Sequence, residues 1–150
     1  MKYLIVILLA FSSCTANAQS KDPVSWSHKV IKKSNILYEV VITATLPKPW
    51  HIYSQNTGDG GPIPSTITFS KNPLIILVGK VIEKGKLEKN YDENFKTQVL
   101  NYSDKVSFIQ QIKVKPNAIT KLIAKVEYMV CNDEMCLPPT TKQFSININN

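Results

Sequence analysis

Apolar residues recur at every second position along most of this chain, and nowhere with a sustained helical period. Between residues 36 and 46 the even positions read Ile36, Tyr38, Val40, Ile42, Ala44 and Leu46. Further on come Val106, Phe108, Gln110, Ile112 and Val114, then Leu122, Ala124, Val126, Tyr128 and Val130. Near the end Phe144, Ile146 and Ile148 alternate with Gln143, Ser145 and Asn147. A pleated strand sends successive side chains to opposite faces, so this pattern predicts strands with one buried face. Val24, Trp26, His28 and Val30 predict a first strand, with His28 on its apolar side as a core histidine. Residues 65–69 and 74–82 predict two more, and the nearly continuous apolar run of the second suits a central strand.

Turn signals separate these runs. Lys33-Ser34-Asn35 and Lys115-Pro116-Asn117 are two, and TGDGGPIP at residues 57–64 is the richest. About seven or eight short strands between turns predict an all-β chain, an immunoglobulin-like β-sandwich. The cysteine–tryptophan–cysteine spacing of antibody domains is absent, so the inference concerns architecture. Residues 83–103 break the alternation. They are polar with scattered aromatics and read as a long connection with a short edge strand near Val99 and Leu100.

The N-terminus predicts export. Lys2 precedes an apolar run over residues 3–11, and Ala16-Asn17-Ala18 supplies a cleavage site of the A-x-A kind. The run is too short to span a membrane, which takes about 20 apolar residues. Residues 1–18 are therefore expected to be a signal peptide, and residues 19–150 one domain with residues 19–22 as its loose lead. A lipid attached at Cys14 is the competing reading; Phe11 is bulkier than such sites favour. The net charge is +7, and every basic residue is a lysine. Nucleic-acid recognition leans on the arginine fork, so the chain is not read as a nucleic-acid binder.

Loss of the leader leaves two cysteines, Cys131 and Cys136, in the stretch CNDEMCLPP at residues 131–139. An exported protein meets oxidising conditions, where a disulfide can persist. Continuing the alternation of Val126, Tyr128 and Val130 points Cys131 to the outer face. A tip at residues 132–135 then turns the chain, so Cys136 falls opposite Cys131. Facing residues of a non-hydrogen-bonded pair have Cα atoms about 4.5 Å apart, close enough for a disulfide. Closing so small a loop stabilises a fold by only roughly 2 kcal/mol. Thiol–disulfide exchange needs an accessible sulfur, which the outward position would supply. The residues alone leave a redox pair and a structural disulfide open. Asp133 and Glu134 stand between the cysteines, and negative charge there disfavours a thiolate. Zinc wants about four ligands, and two cysteines far from His28 and His51 do not supply them.

The combination around the pair is specific. YMVCNDEMCLPPTTKQFSI at residues 128–146 resembles the end of the N-terminal periplasmic domain of the DsbD thiol:disulfide interchange family. PWHIYS at residues 49–54 resembles that family's aromatic strand end. YDENFKTQVLNYSDKVSFIQQIKV at residues 91–114 resembles its cap segment and the strand that follows. The resemblance implies an immunoglobulin-like fold, a redox pair Cys131/Cys136, and no cofactor. Cys136 would attack and Cys131 would resolve. Phe95 would cap the sulfurs, with Asp92 and Glu93 beside it, and His51 and Tyr53 would line the site. It also implies partners: thioredoxin-like proteins, among them those of cytochrome c biogenesis, and a membrane electron-transfer protein. A monomer forming transient mixed disulfides is the implied state. Three departures stand out. The loop between the cysteines is one residue short, Asn94 intervenes between Glu93 and Phe95, and His51 stands where the family often has tyrosine. The alternative on the same fold is a binding or adhesion module with a structural disulfide.

Overall fold

The computed structural model describes residues 22–148. The predicted leader and Cys14 lie outside the described residues. All regular elements among the described residues are strands, paired antiparallel into three sheets of an immunoglobulin-like fold. The first sheet runs β1 (Ser25–Lys32), β2 (Leu37–Thr45), β8 (Lys105–Val114), β5 (Ile75–Gly85). The sheet facing it runs β11 (Thr140–Ile148), β9 (Thr120–Tyr128), β4 (Thr66–Phe69). A third runs β10 (Val130–Cys131), β3 (His51–Tyr53), β7 (Thr97–Tyr102), β6 (Glu88–Asp92).

The period-two pattern becomes the core directly. Tyr38, Val40, Ile42 and Ala44 of β2 and Val106, Phe108, Ile112 and Val114 of β8 face one way. They meet Leu122, Ala124, Val126 and Tyr128 of β9 and Ile146 and Ile148 of β11. Each fully buried side chain of this size contributes roughly 1.5–3 kcal/mol. Trp26 closes one edge, packing on Phe108, Tyr128 and Phe144. Gln110 is the one polar member of the β8 stripe. Its amide donates to the carbonyls of Val78 and Gln111, at 3.0 and 2.7 Å. The Val78 carbonyl lies where β5 bulges, between Val78 and Ile82, so the buried amide satisfies backbone that the bulge strips of ladder partners.

Four expectations are corrected. The apolar run of β5 forms an edge strand, with Ile76 and Ile82 about two-thirds exposed. Alternation reports which face is apolar, and a continuous run does not say whether a strand has one neighbour or two. His28 is exposed and meets only the edge of the Phe144 ring. Because β1 is also an edge strand, its inward face is covered only in part. Asp22 is fixed rather than loose: its carboxylate accepts from the Tyr128 hydroxyl and the Val24 amide and pairs with Lys142 at 3.3 Å. Finally, residues 83–103 hold the end of β5 and a hairpin of β6 and β7, and β7 lies inside its sheet. The polar side chains of β6 concealed that strand.

Candidate functional site

The site forms where the chain changes sheets. β9 ends at Tyr128 in one sheet, and after Met129 the chain re-enters pairing as β10 against β3. Cys131 lies opposite His51, so their side chains share a face. The tip at residues 132–135 then brings Cys136 opposite Cys131. Backbone bonds flank the pair, from Asn132 N–H to Met135 O and from Leu137 N–H to Val130 O, both 2.9 Å. The cysteines themselves therefore form the non-hydrogen-bonded pair that the sequence suggested. Their Cα atoms are 4.0 Å apart and the sulfurs are joined. Asn132 shapes the tip, accepting from the amides of Glu134 and Met135 through Oδ1.

Cys131 does not stand open to solvent. It points away from the main core, but into a second cluster with Tyr53 and Val99, and it is wholly buried. Phe95, Met129 and Cys136 pack against that cluster. Cys136 is half-buried, so it is the more accessible of the two. The strand alternation was right about the face; it could not report what lies over that face.

What lies there is the tip of the β6–β7 hairpin. Residues 93–96 reverse the chain, and Lys96 holds a left-handed φ of 52°. Asp92 organises this turn. Its Oδ1 accepts from the amides of Asn94 and Phe95, at 2.9 and 3.3 Å. Its Oδ2 accepts from the Tyr53 hydroxyl at 2.6 Å. One buried carboxylate thus ties the turn to the floor of the site. The Phe95 ring sits edge-on to Tyr53, centroids 6.4 Å apart.

His51 extends the chain of contacts. Its ring is edge-on to Tyr53, with Nε2 3.4 Å from the Tyr53 oxygen. Tyr53 gives its proton to Asp92, and the role of Nε2 in this contact follows the imidazole tautomer. Burial holds the imidazole below its ordinary 6.5, against the opposing pull of Asp92, Asp133, the Pro49 carbonyl and Glu88. Burial and the bond to Asp92 push the Tyr53 hydroxyl well above its ordinary value, so it stays protonated.

The structure therefore brings Cys131, Cys136, His51, Tyr53, Asp92 and Phe95 together. Glu93 is exposed on the rim. Beside the pair opens a cleft of about 280 Å³, with Glu93, Asn94, Asn101, Asn132 and Asp133 on its walls. Val99 and Met129 are site residues that the sequence reading did not single out. Met129 carried no signal, because it sits at the break between strands. Among the described residues no group of three His, Cys, Asp or Glu side chains is placed to hold a metal ion.

Comparison with known proteins follows the same lines. Residues 26–148 match the family described as thiol:disulfide interchange protein DsbD, N-terminal. The fold is similar to the DsbD N-terminal domain of Neisseria meningitidis in its reduced form, at 15% identity and a TM-score of 0.52. That alignment covers 82% of this chain and 86% of the other. It is also similar to a structure of the complex between the DsbD N-terminal and PilB N-terminal domains from the same organism. There the identity is 12% and the TM-score 0.50, with 80% of each chain covered. No curated protein matches the chain by sequence. The family match runs from within β1 to the end of β11 and takes in both cysteines, and on that ground the chain belongs to the DsbD N-terminal family of thiol:disulfide interchange.

Proposed function

We propose that this protein is an exported electron carrier that exchanges thiols and disulfides through Cys131 and Cys136. The leader of residues 1–18, cut after Ala18, would release a single domain of residues 19–150 into the periplasm. A thioredoxin-like or membrane protein would reduce the pair, and exported proteins would receive its electrons. The observation that carries this reading is the pairing of unequal exposures: a buried Cys131 and a half-buried Cys136, under a turn that carries Phe95.

The reaction follows from that asymmetry. In the reduced protein the Cys136 thiolate attacks one sulfur of a partner disulfide. The partner's other sulfur leaves as a thiolate and takes up a proton. Cys131, deprotonated in turn, attacks Cys136 Sγ and displaces the partner's remaining sulfur. The Cys131–Cys136 disulfide forms, and two electrons and two protons have passed to the partner. Cys136 leads because its sulfur can be reached, whereas Cys131 needs only to reach Cys136. Phe95, held by Asp92, shields the pair between encounters and must swing aside for a partner. His51 and Tyr53 line the site and Glu93 lies at its edge.

The test is trapping. With Cys131→Ser, Cys136 should accumulate mixed disulfides with envelope proteins, whereas Cys136→Ser should trap none. A structural disulfide in a binding module predicts no adducts with either variant and a reduction potential below about −300 mV. That pair of results would falsify the redox reading.

A further inference from the structure

The first sheet has a second face, turned away from the core, and its composition is unusual for a solvated surface. The register reads across the strands. One row is Lys29, Val41, Ile109, Ile82; the next is Ile31, Glu39, Gln111, Val78. Beyond them lie Leu37, Lys113, Ile76 on one side and Ser27, Thr43, Ser107, Lys84 on the other. Alternation in an antiparallel sheet normally leaves this face polar. Here Ile109, Ile82, Val78 and Ile76 make an aliphatic patch across β8 and β5, with Val41 of β2 buried at its edge. Its outer members project most, Ile76 at 67% exposed and Ile82 at 62%.

Charge limits what can cover the patch. Lys29, Lys84, Lys105 and Lys113 lie on this face and are exposed. Its one acid, Glu39, already faces Lys33 at 3.8 Å. A second copy laid face to face would bring these lysines against their equivalents. Protein partners select aromatic residues and arginine and avoid lysine at their contact centres. This face has no aromatic residue and the chain has no arginine. Aliphatic side chains ringed by lysines instead suit an anionic lipid surface. The chains enter the boundary layer, and each lysine lays its stem along it with the ammonium among headgroups.

We propose that the outer face of the β1-β2-β8-β5 sheet rests on anionic membrane. The face shares no residue with the Cys131 cluster or the cleft beside it, so the dithiol stays uncovered when the sheet is docked. Confinement near a bilayer would raise the rate of encounter with any membrane-bound redox partner. The proposal does not rest on the redox reading, since a binding module would dock in the same way.

The experiment is vesicle co-sedimentation of the released, soluble form of the chain, its N-terminus fixed by mass spectrometry. Vesicles of phosphatidylcholine mixed with phosphatidylglycerol should bind it at low salt, and pure phosphatidylcholine should not. The double variant Lys84→Glu/Lys113→Glu should weaken binding by about tenfold or more, and salt should do the same to the wild type. Ile76→Ser/Ile82→Ser should weaken it about tenfold while leaving the salt dependence in place. These residues are exposed, and an unchanged thermal melt will show that each variant folds. Three results overturn the proposal: no binding to anionic vesicles at low salt, binding indifferent to both double variants, or a dimer in sedimentation velocity that these variants dissolve while vesicles bind nothing.

Discussion

Among the described residues, two apolar clusters are built differently. The main one is made of interdigitating aliphatic and aromatic side chains drawn from strands of all three sheets. The other consists of Tyr53, Val99 and Cys131, with Phe95, Met129 and Cys136 against it. So small a cluster cannot hold itself shut by burial. It is closed by directed bonds instead, from Tyr53 to Asp92 and from the hairpin turn to Asp92. Removing one methylene from the large core costs a fraction of its stability, whereas removing one hydrogen bond from the small cluster can open it. A region built this way can move while the rest of the fold stays rigid.

The comparison can be broken at either end. We predict that Phe108→Ala, deep in the main core, destabilises the protein by about 3–5 kcal/mol in denaturant unfolding. It should leave the rate at which a small thiol reduces the disulfide unchanged at temperatures where the protein is folded. Asp92→Ala should do the reverse. It orphans the Tyr53 hydroxyl and two turn amides, at a cost of about 2 kcal/mol, and reduction by the same thiol should accelerate. Equal reduction rates in the two variants would remove the distinction between the clusters. Tyr53→Phe is milder, about 1 kcal/mol, because Asp92 still holds the turn. Its reduction rate should fall between those of the wild type and Asp92→Ala.

Two smaller effects sharpen the picture. Lys96→Gly relieves a left-handed residue but adds freedom to the unfolded chain, so a net gain of roughly 0.5 kcal/mol is expected. Its melting temperature reports the sign. Acid should act through His51. Its folded-state pKa is lowered, so the unfolded chain binds more protons in the window just below 6.5. Stability then rises with pH through that window, levels off above 6.5 and is lost as pH falls toward the folded-state value. His51→Gln should remove that part of the pH dependence, as the difference between the two stability curves will show.

The main core was legible because each strand that builds it has one apolar face, and alternation states that face residue by residue. Tyr38, Phe108 and Val126 could be assigned inward without knowing any strand order. The site was legible only in part. The opposition of Cys131 and Cys136 follows from a short reversal between two cysteines. The burial of Cys131 does not, because it depends on a turn 35 to 38 positions earlier in the chain folding over it. That placement requires β3 to lie between β10 and β7, and nothing local encodes it. The resemblance carried Phe95 and Tyr53 to the site where periodicity could not. The edge position of β5 was missed for a related reason: pattern describes faces, and edges are a matter of neighbours.

One feature of the cysteine hairpin bears on how the pair would cycle. The backbone bonds from Asn132 to Met135 and from Leu137 to Val130 lie on either side of the S–S bond. Joining or parting the sulfurs need not rearrange the ladder, so the two thiols of a reduced pair would remain at very high effective molarity toward each other. A partner bound to Cys136 through a mixed disulfide would then be released quickly by Cys131. On the proposed function, the hairpin would act as a timer, keeping any covalent encounter brief.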